Sequence, residues 1–206
     1  MISSTSGGAP SSGCVGHLHQ LDPTFAVPLR MLGRASHLER VSRWLARQER
    51  ELQVRLAREL VARVRSLNRI IAELDRELEQ RTAATAPALL ELPGCAALTA
   101  AKLLAEIGPI GRFNSDAQLA RHSGVAPLEA SSGRIQRHRL DRGGNRQLNA
   151  ALYRIAITQA RYHPAARAYL ERKQAEGKTR REAIRCLKRQ LARVVFNTLK
   201  TSPALT

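Results

Sequence analysis

Leu89-Leu90-Glu91-Leu92-Pro93-Gly94-Cys95-Ala96-Ala97-Leu98-Thr99-Ala100-Ala101-Lys102-Leu103-Leu104-Ala105-Glu106-Ile107-Gly108 is the stretch on which the fold turns. A short apolar run meets a Pro-Gly pair, and a longer Ala/Leu run then ends at glycine. Ala and Leu are strong helix formers, while Pro and Gly punctuate. The reading is helix, turn, helix, in the pattern of a helix-hairpin-helix. In that motif the turn exposes backbone N–H groups at a helix N-terminus, where they and the helix dipole hold a DNA phosphate. Gly94 is the candidate contact, because a residue without Cβ lets the backbone come close. Ala96 stands where the motif usually has a second glycine, so a purely structural helical hairpin fits the same residues.

Upstream, no Pro or Gly occurs from Ala35 to Thr85. Leu60, Val64, Leu67, Ile71, Leu74 and Leu78 recur in alternating steps of four and three, the heptad spacing. Leu45, Leu52 and Leu56 extend the stripe with a shift in register. This predicts one long helix, or two nearly continuous ones, with charged faces flanking a narrow apolar seam. A coiled-coil contact with a second copy and a helix folded back on its own domain both satisfy that pattern. Ala83 to Pro87 breaks the helix. Before it, Met1 to Pro28 is rich in Ser, Gly, Thr and Pro, has no Lys or Arg, and has Asp22 as its sole acid. Such a segment buries too little apolar surface to offset ordering, so residues 1–36 are expected to be a disordered leader. His17 and His19 there lack a ligand cluster and read as solvated.

Downstream, Phe113 to Gly124 predicts a short helix capped by Asn114 or Ser115, with Ala117, Leu119 and Ala120 inward. Val125 to Arg146 is irregular and dense in arginine: Arg134, Arg137, Arg139, Arg142 and Arg146, with Gly133, Gly143 and Gly144 between them. Gln147 to Arg161 resumes as a helix with Leu148, Leu152, Ile155 and Ile157 apolar, Pro164 starts another, and Thr179 to Leu199 forms a last one. Ile184, Leu187, Leu191, Val194 and Val195 are its expected inward row. The fold class is therefore all-α: a coiled-coil helix over 37–85, a compact helical domain over 86–200 with an Arg-rich loop, and a tail over 201–206.

Composition agrees. Hydrophobic residues make up 43% but aromatics only 3%, so the core must be aliphatic, which suits helices better than sheets. Lys plus Arg total 34 against 17 acids, a formal charge of +17, and nearly all the cations are Arg. A field of that sign favours a polyanion, and arginine forks onto phosphate oxygens. A solvated basic surface is the competing reading of composition alone. Cys14, Cys95 and Cys186 are far apart with no CxxC spacing, which points to a reducing compartment without disulfides or zinc. With no apolar run near the roughly 18 residues of a membrane span and no signal-peptide order, the expected location is cytoplasmic and nucleoid-associated, with no membrane partner.

The segment from Leu92 to about Leu199 resembles the C-terminal transposase domain of a large bacterial insertion-sequence family. The residues that carry the resemblance are Leu92 to Gly94, Ala100 to Gly108, Arg112-Phe113, His122 to Pro127, Ser131 to Gly133 and Arg142 to Leu148. Members pair an N-terminal RuvC-like domain, bearing a DEDD acid set, with a C-terminal serine domain. Those studied as bridge recombinases are guided by a structured noncoding RNA. The heptad helix is similar to the coiled coil that joins the two domains. The resemblance implies Ser132 as nucleophile, with Ser131 as fallback if the register is off by one. It implies DNA as substrate, a structured guide RNA as a further partner and homo-oligomers through the coiled coil. The chemistry suits the setting: serine attack on a phosphodiester conserves the ester for later rejoining, and nearby arginines stabilise the phosphoryl charge. DNA contacts are expected from Gly94, Arg134, Arg137, Arg139, Arg142, Gly143, Gly144 and Arg146. His138 could act as base or phosphate contact, or lie on the surface.

The departure is upstream. Where members carry four metal-binding acids, this chain has the Ser/Gly/Pro leader, and only Asp22 precedes Glu39. No Mg²⁺ site is expected in this chain, and Mg²⁺ is expected only with the acidic domain. The chain thus reads as a truncated element that binds nucleic acid and does not transpose unaided. On the residues alone, Ser131-Ser132-Gly133 is also an ordinary turn. A noncatalytic helical DNA-binding module and a dominant-negative adaptor of a full-length transposase are therefore the alternatives.

Overall fold

The structure is a computed structural model that describes residues 18–22, 24–25, 34–49, 51–130, 138–139, 141 and 143–202. The fold is all-α, as composition and periodicity predict; among the described residues the only strands are two of two residues each. The chain divides into two compact units, 1–74 and 75–206.

In the first unit, helix α1 (Ala35–Ala46) and the early turns of α2 (Leu52–Thr85) share one apolar cluster. Leu38, Val41 and Leu45 face it from α1, and Val54, Ala57, Val61 and Val64 from α2, in steps of three and four that keep them on one helix face. Arg58 donates to the Leu45 carbonyl at 2.7 Å, satisfying one of the acceptors that every helix end leaves open. Arg65 and Glu39 pair at 2.8 Å on the exposed side.

Two expectations change here. The buried apolar row on α2, Val54, Ala57, Val61 and Val64, meets the predicted stripe only at Val64: of the heptad set, Leu60 and Leu78 are half-buried, while Leu67, Ile71 and Leu74 are exposed. Helix α1 covers the narrower Val/Ala face, and the larger Leu/Ile side chains are left beside it. The leader is also not wholly separate. Leu18 is buried in this cluster, and the Phe25 ring stacks on Trp44 with centroids 4.3 Å apart. Leu18, Leu21 and Phe25 are the apolar side chains that bring part of a polar segment into this cluster.

The second unit contains α3 (Pro87–Leu90), α4 (Ala97–Ile107), a 3₁₀ turn (Ile110–Arg112), α5 (Asp116–His122), β1 (Leu128–Glu129), β2 (His138–Arg139), α6 (Arg146–Tyr162), α7 (Pro164–Ala175) and α8 (Arg180–Lys200). Helices α4, α7 and α8 pack on α6, and α5 and α7 pack on α8. The core is aliphatic, with Leu103, Ile107, Leu119, Leu148, Leu152, Ile155 and Leu191 all buried and Phe196 the one buried aromatic among the described residues. Two predicted inward residues are not so: Val194 and Ala117 are exposed, each at the margin of its helix's apolar stripe. Local chemistry sets the helix ends. Ser115 accepts from the Gln118 N–H to start α5, and Thr179 and Glu182 form a reciprocal capping box at α8.

Candidate nucleic-acid interface

Pro93 and Gly94 form the turn between α3 and α4. The Cys95 N–H donates to the Leu92 carbonyl at 2.9 Å, with Gly94 at φ +83°, a conformation open to glycine at little cost. Gln159 of α6, itself buried, donates to the Pro93 carbonyl at 2.8 Å. A Cβ on Gly94 would lie 2.9 Å from the Thr158 Cβ. The glycine is thus accounted for by close packing of the turn on α6. The N-cap of α4, Ala96, provides no side-chain cap.

A second convergence lies at the ends of the Arg-rich region. Gly124 follows α5 at φ +63°, and Gly144 precedes α6. A Cβ on Gly144 would fall 2.2 Å from the Gly124 nitrogen and 2.3 Å from its Cα, so the two backbones touch at a separation that a side chain forbids. Three elements hold this contact. From α6, the Asn149 amide donates to the Ser123 and Gly124 carbonyls at 2.9 and 3.0 Å. From α8, the Lys188 amine donates to the Asn149 side-chain oxygen at 2.7 Å. From α4, Glu106 accepts from the Asn145 amide at 2.7 Å, while the Asn145 oxygen caps α6 by accepting from Gln147 and Leu148. The Asn145 N–H also donates to the His122 carbonyl at 2.7 Å. Beyond the contact, β1 and β2 pair antiparallel, Leu128 opposite Arg139 and Glu129 opposite His138.

Several candidate residues fall around this base. Gly143 donates to the Asp141 carboxylate at 2.8 Å, and Gly144 makes the backbone contact. Arg139 and Arg146 are exposed, on β2 and on the first residue of α6. Ser131, Ser132, Arg134, Arg137 and Arg142 lie outside the described residues, as does the His138 side chain. Gly94 belongs to the separate α3–α4 turn. The Arg112-Phe113 pair and His122 do come together. The Arg112 guanidinium sits 3.0 Å from the His122 ring nitrogen and 4.6 Å from the Phe113 ring centre.

Next to the Gly124–Gly144 contact opens a cleft of about 510 Å³ between Gly124 to Pro127, β2 and the α7–α8 elbow. Its cations are Arg139, Lys173, Lys178, Arg185, Lys188 and Arg189. The acids in its walls have defined partners: Asp141 binds Gly143, Glu176 binds Lys173 at 2.7 Å, and Glu182 completes the α8 cap. Arg189 is tied to Asp116 at 2.9 Å. Burial, and then the charge of Arg185, hold the Lys188 amine below the ordinary lysine range. Sequence reasoning missed the α8 cations. The readable signal was Lys188 itself, a charged residue inside the inward row of Ile184, Leu187 and Leu191.

Comparison with known proteins places this unit. Residues 86–171 match the family described as Transposase IS116/IS110/IS902. A protein of insertion element IS110 from Streptomyces coelicolor is 40% identical over 115 residues, 55% of this chain and 28% of the relative. A protein of insertion element IS900 from Mycobacterium paratuberculosis is 33% identical over 71% of this chain and 37% of the relative. A pilin gene-inverting protein from Moraxella bovis is 28% identical over 63% of this chain and 43% of the relative. The matched stretch therefore spans less than half of each of these relatives. Over residues 86–171 the chain is therefore similar to the transposase domain described for the IS116/IS110/IS902 family.

Proposed function

We propose that the chain is the DNA-handling C-terminal portion of an insertion-element transposase, with Ser132 as the nucleophile and Ser131 as its fallback. The observation that supports this most is the Gly124–Gly144 contact. It joins the two family-like segments and brings together the ends of the region that carries the serines and arginines. In the proposed step the serine Oγ–P bond forms as one P–O ester bond of the DNA strand breaks. The hydroxyl proton ends on the departing strand's oxygen, and the strand remains attached through a phosphoserine. Arg134, Arg137, Arg139, Arg142 and Arg146, with the backbone at Gly143 and Gly144, stabilise the phosphoryl oxygens. The uncapped N–H groups at the start of α4, after Gly94, provide a second phosphate contact.

Among the described residues, no three His, Cys, Asp or Glu side chains come together as a metal site. The described residues hold no acidic cluster that would fit a Mg²⁺ centre, so no step is routed through one. The matching experiment incubates the chain with nicked element-end DNA, with and without a separately supplied acidic domain. Covalent protein–DNA adduct that Ser132→Ala abolishes is the expected result. Absence of adduct under every condition, with binding retained, favours a noncatalytic DNA-binding module. One observation favours a partner role as well: Leu67, Ile70, Ile71 and Leu74 form an exposed apolar stripe on α2, suited to a second α2 from another copy or from a full-length transposase.

A further inference from the structure

Lys188 is 6% exposed. Burying an ammonium is costly unless it is paired, and buried lysines are therefore normally matched by a carboxylate. Lys188 is matched differently. Its hydrogen bond goes to the neutral amide of Asn149 at 2.7 Å, and the Tyr153 ring lies 5.8 Å from its amine. Among the described residues no acid pairs with it. Yet it lines the 510 Å³ cleft, together with Lys178 and Arg139, while the acids in the same walls are engaged by Gly143, Lys173 and the α8 cap.

A cavity with a desolvated, carboxylate-free cation and walls biased to positive charge is complete only with an anion inside. The cleft is also contiguous with Gly124, whose carbonyl is held by the residue that Lys188 binds. We infer that this cleft is a phosphodiester-binding subsite, in which Lys188 meets a phosphate of the nucleic-acid strand running past the Gly124–Gly144 contact. The inference rests on the functional reading above and deepens it. It assigns a strand-holding site built mainly from α8 and the α7–α8 elbow, which meets the arginines of the 130–142 region at Arg139. DNA and RNA share the phosphodiester, so both are ligands of the same chemistry. Val125, Ala126 and Pro127 line one wall of the cleft, and such an apolar face beside the cations suits an unpaired strand better than a duplex edge.

The test uses the full chain and fluorescent 20-nucleotide single-stranded DNA, single-stranded RNA and duplex DNA, titrated at several salt concentrations. Lys188→Met keeps the length of the side chain and removes its charge. The expected result is single-strand binding weakened about tenfold, with the log–log salt slope reduced by about one and a smaller effect on duplex. Stronger loss for DNA than for RNA identifies the substrate strand as the occupant, and the reverse identifies a guide. Unchanged affinity and slope in a folded Lys188→Met protein overturn the subsite while leaving the functional reading intact. Failure of the wild-type chain to bind any strand overturns that reading as well. Should Lys188→Met unfold, Lys178→Gln at the same cleft carries the same readout: a slope lowered by about one supports the subsite, and an unchanged slope rejects it.

Discussion

At the scale of single residues, two neighbouring glycines separate by what their missing Cβ atoms would meet. Gly144 faces backbone at 2.2 Å, whereas Gly143 faces the Asp141 carboxylate oxygen at 3.4 Å, an ordinary contact. Gly144→Ala must push two backbones apart and is expected to cost about 3 kcal/mol, the upper end of overpacking penalties. Gly143→Ala is expected to cost under about 1 kcal/mol. Thermal unfolding of the two variants checks this; equal melting temperatures would refute the contact. Cys95 and Cys186 differ in the same way. Burial pushes the Cys95 thiol up to about 11, so it stays protonated well above neutral pH, while Cys186 is half-buried in the cleft wall. In a Cys14→Ser background, alkylation at pH 8 followed by mass spectrometry is expected to modify Cys186 first. Residue types in the Ser-Gly and Gly-Gly pairs were legible in the sequence. Their mutual contact, across 20 residues of chain, was not, because period and propensity describe neighbours along the chain only.

At the scale of elements, helices were the most legible features. The starts of α7 at Pro164 and α8 after Thr179 follow from Pro at the first helical position and a capping box. The face of α2 was not legible. Its sequence holds two overlapping apolar rows, and periodicity cannot decide which one a neighbouring helix covers. The structure covers Val54, Ala57, Val61 and Val64 and leaves Leu67, Ile70, Ile71 and Leu74 exposed. Opposite consequences follow for the two rows. Leu45→Ala, opposite the covered row, is expected to destabilise its unit by roughly 2–5 kcal/mol, read by denaturant unfolding. The double change Leu67→Glu, Leu74→Glu is expected to leave folding intact and to reduce the sedimentation mass of any oligomer. An unaltered oligomer would remove the α2 stripe as its interface.

At the scale of the whole molecule, the charge of +17 was plain from composition, and its arrangement was not. The 130–142 arginines stand out as a cluster in the sequence. Apart from Arg139, the cleft cations do not, because they come from α7, the α7–α8 elbow and α8 and are assembled only by folding. The all-α class followed from an aliphatic, aromatic-poor composition, and the family-like segments followed one another in the expected order from Leu92 onward. Under the proposed function both distributions of charge face a phosphate-bearing partner, so affinity for any strand is expected to fall by orders of magnitude over a modest rise in salt. The reading of the site as catalytic turns on one hydroxyl. Trypsin cleaves the chain after Arg121 and Arg134, so His122 to Arg134 forms one peptide that holds Ser123, Ser131 and Ser132. Adduct formed on nicked DNA can be digested with nuclease and trypsin and sequenced by tandem mass spectrometry. A nucleotide remnant on Ser132 is the predicted result; a remnant on a residue outside this peptide, or none on a protein shown to bind the DNA, would contradict it.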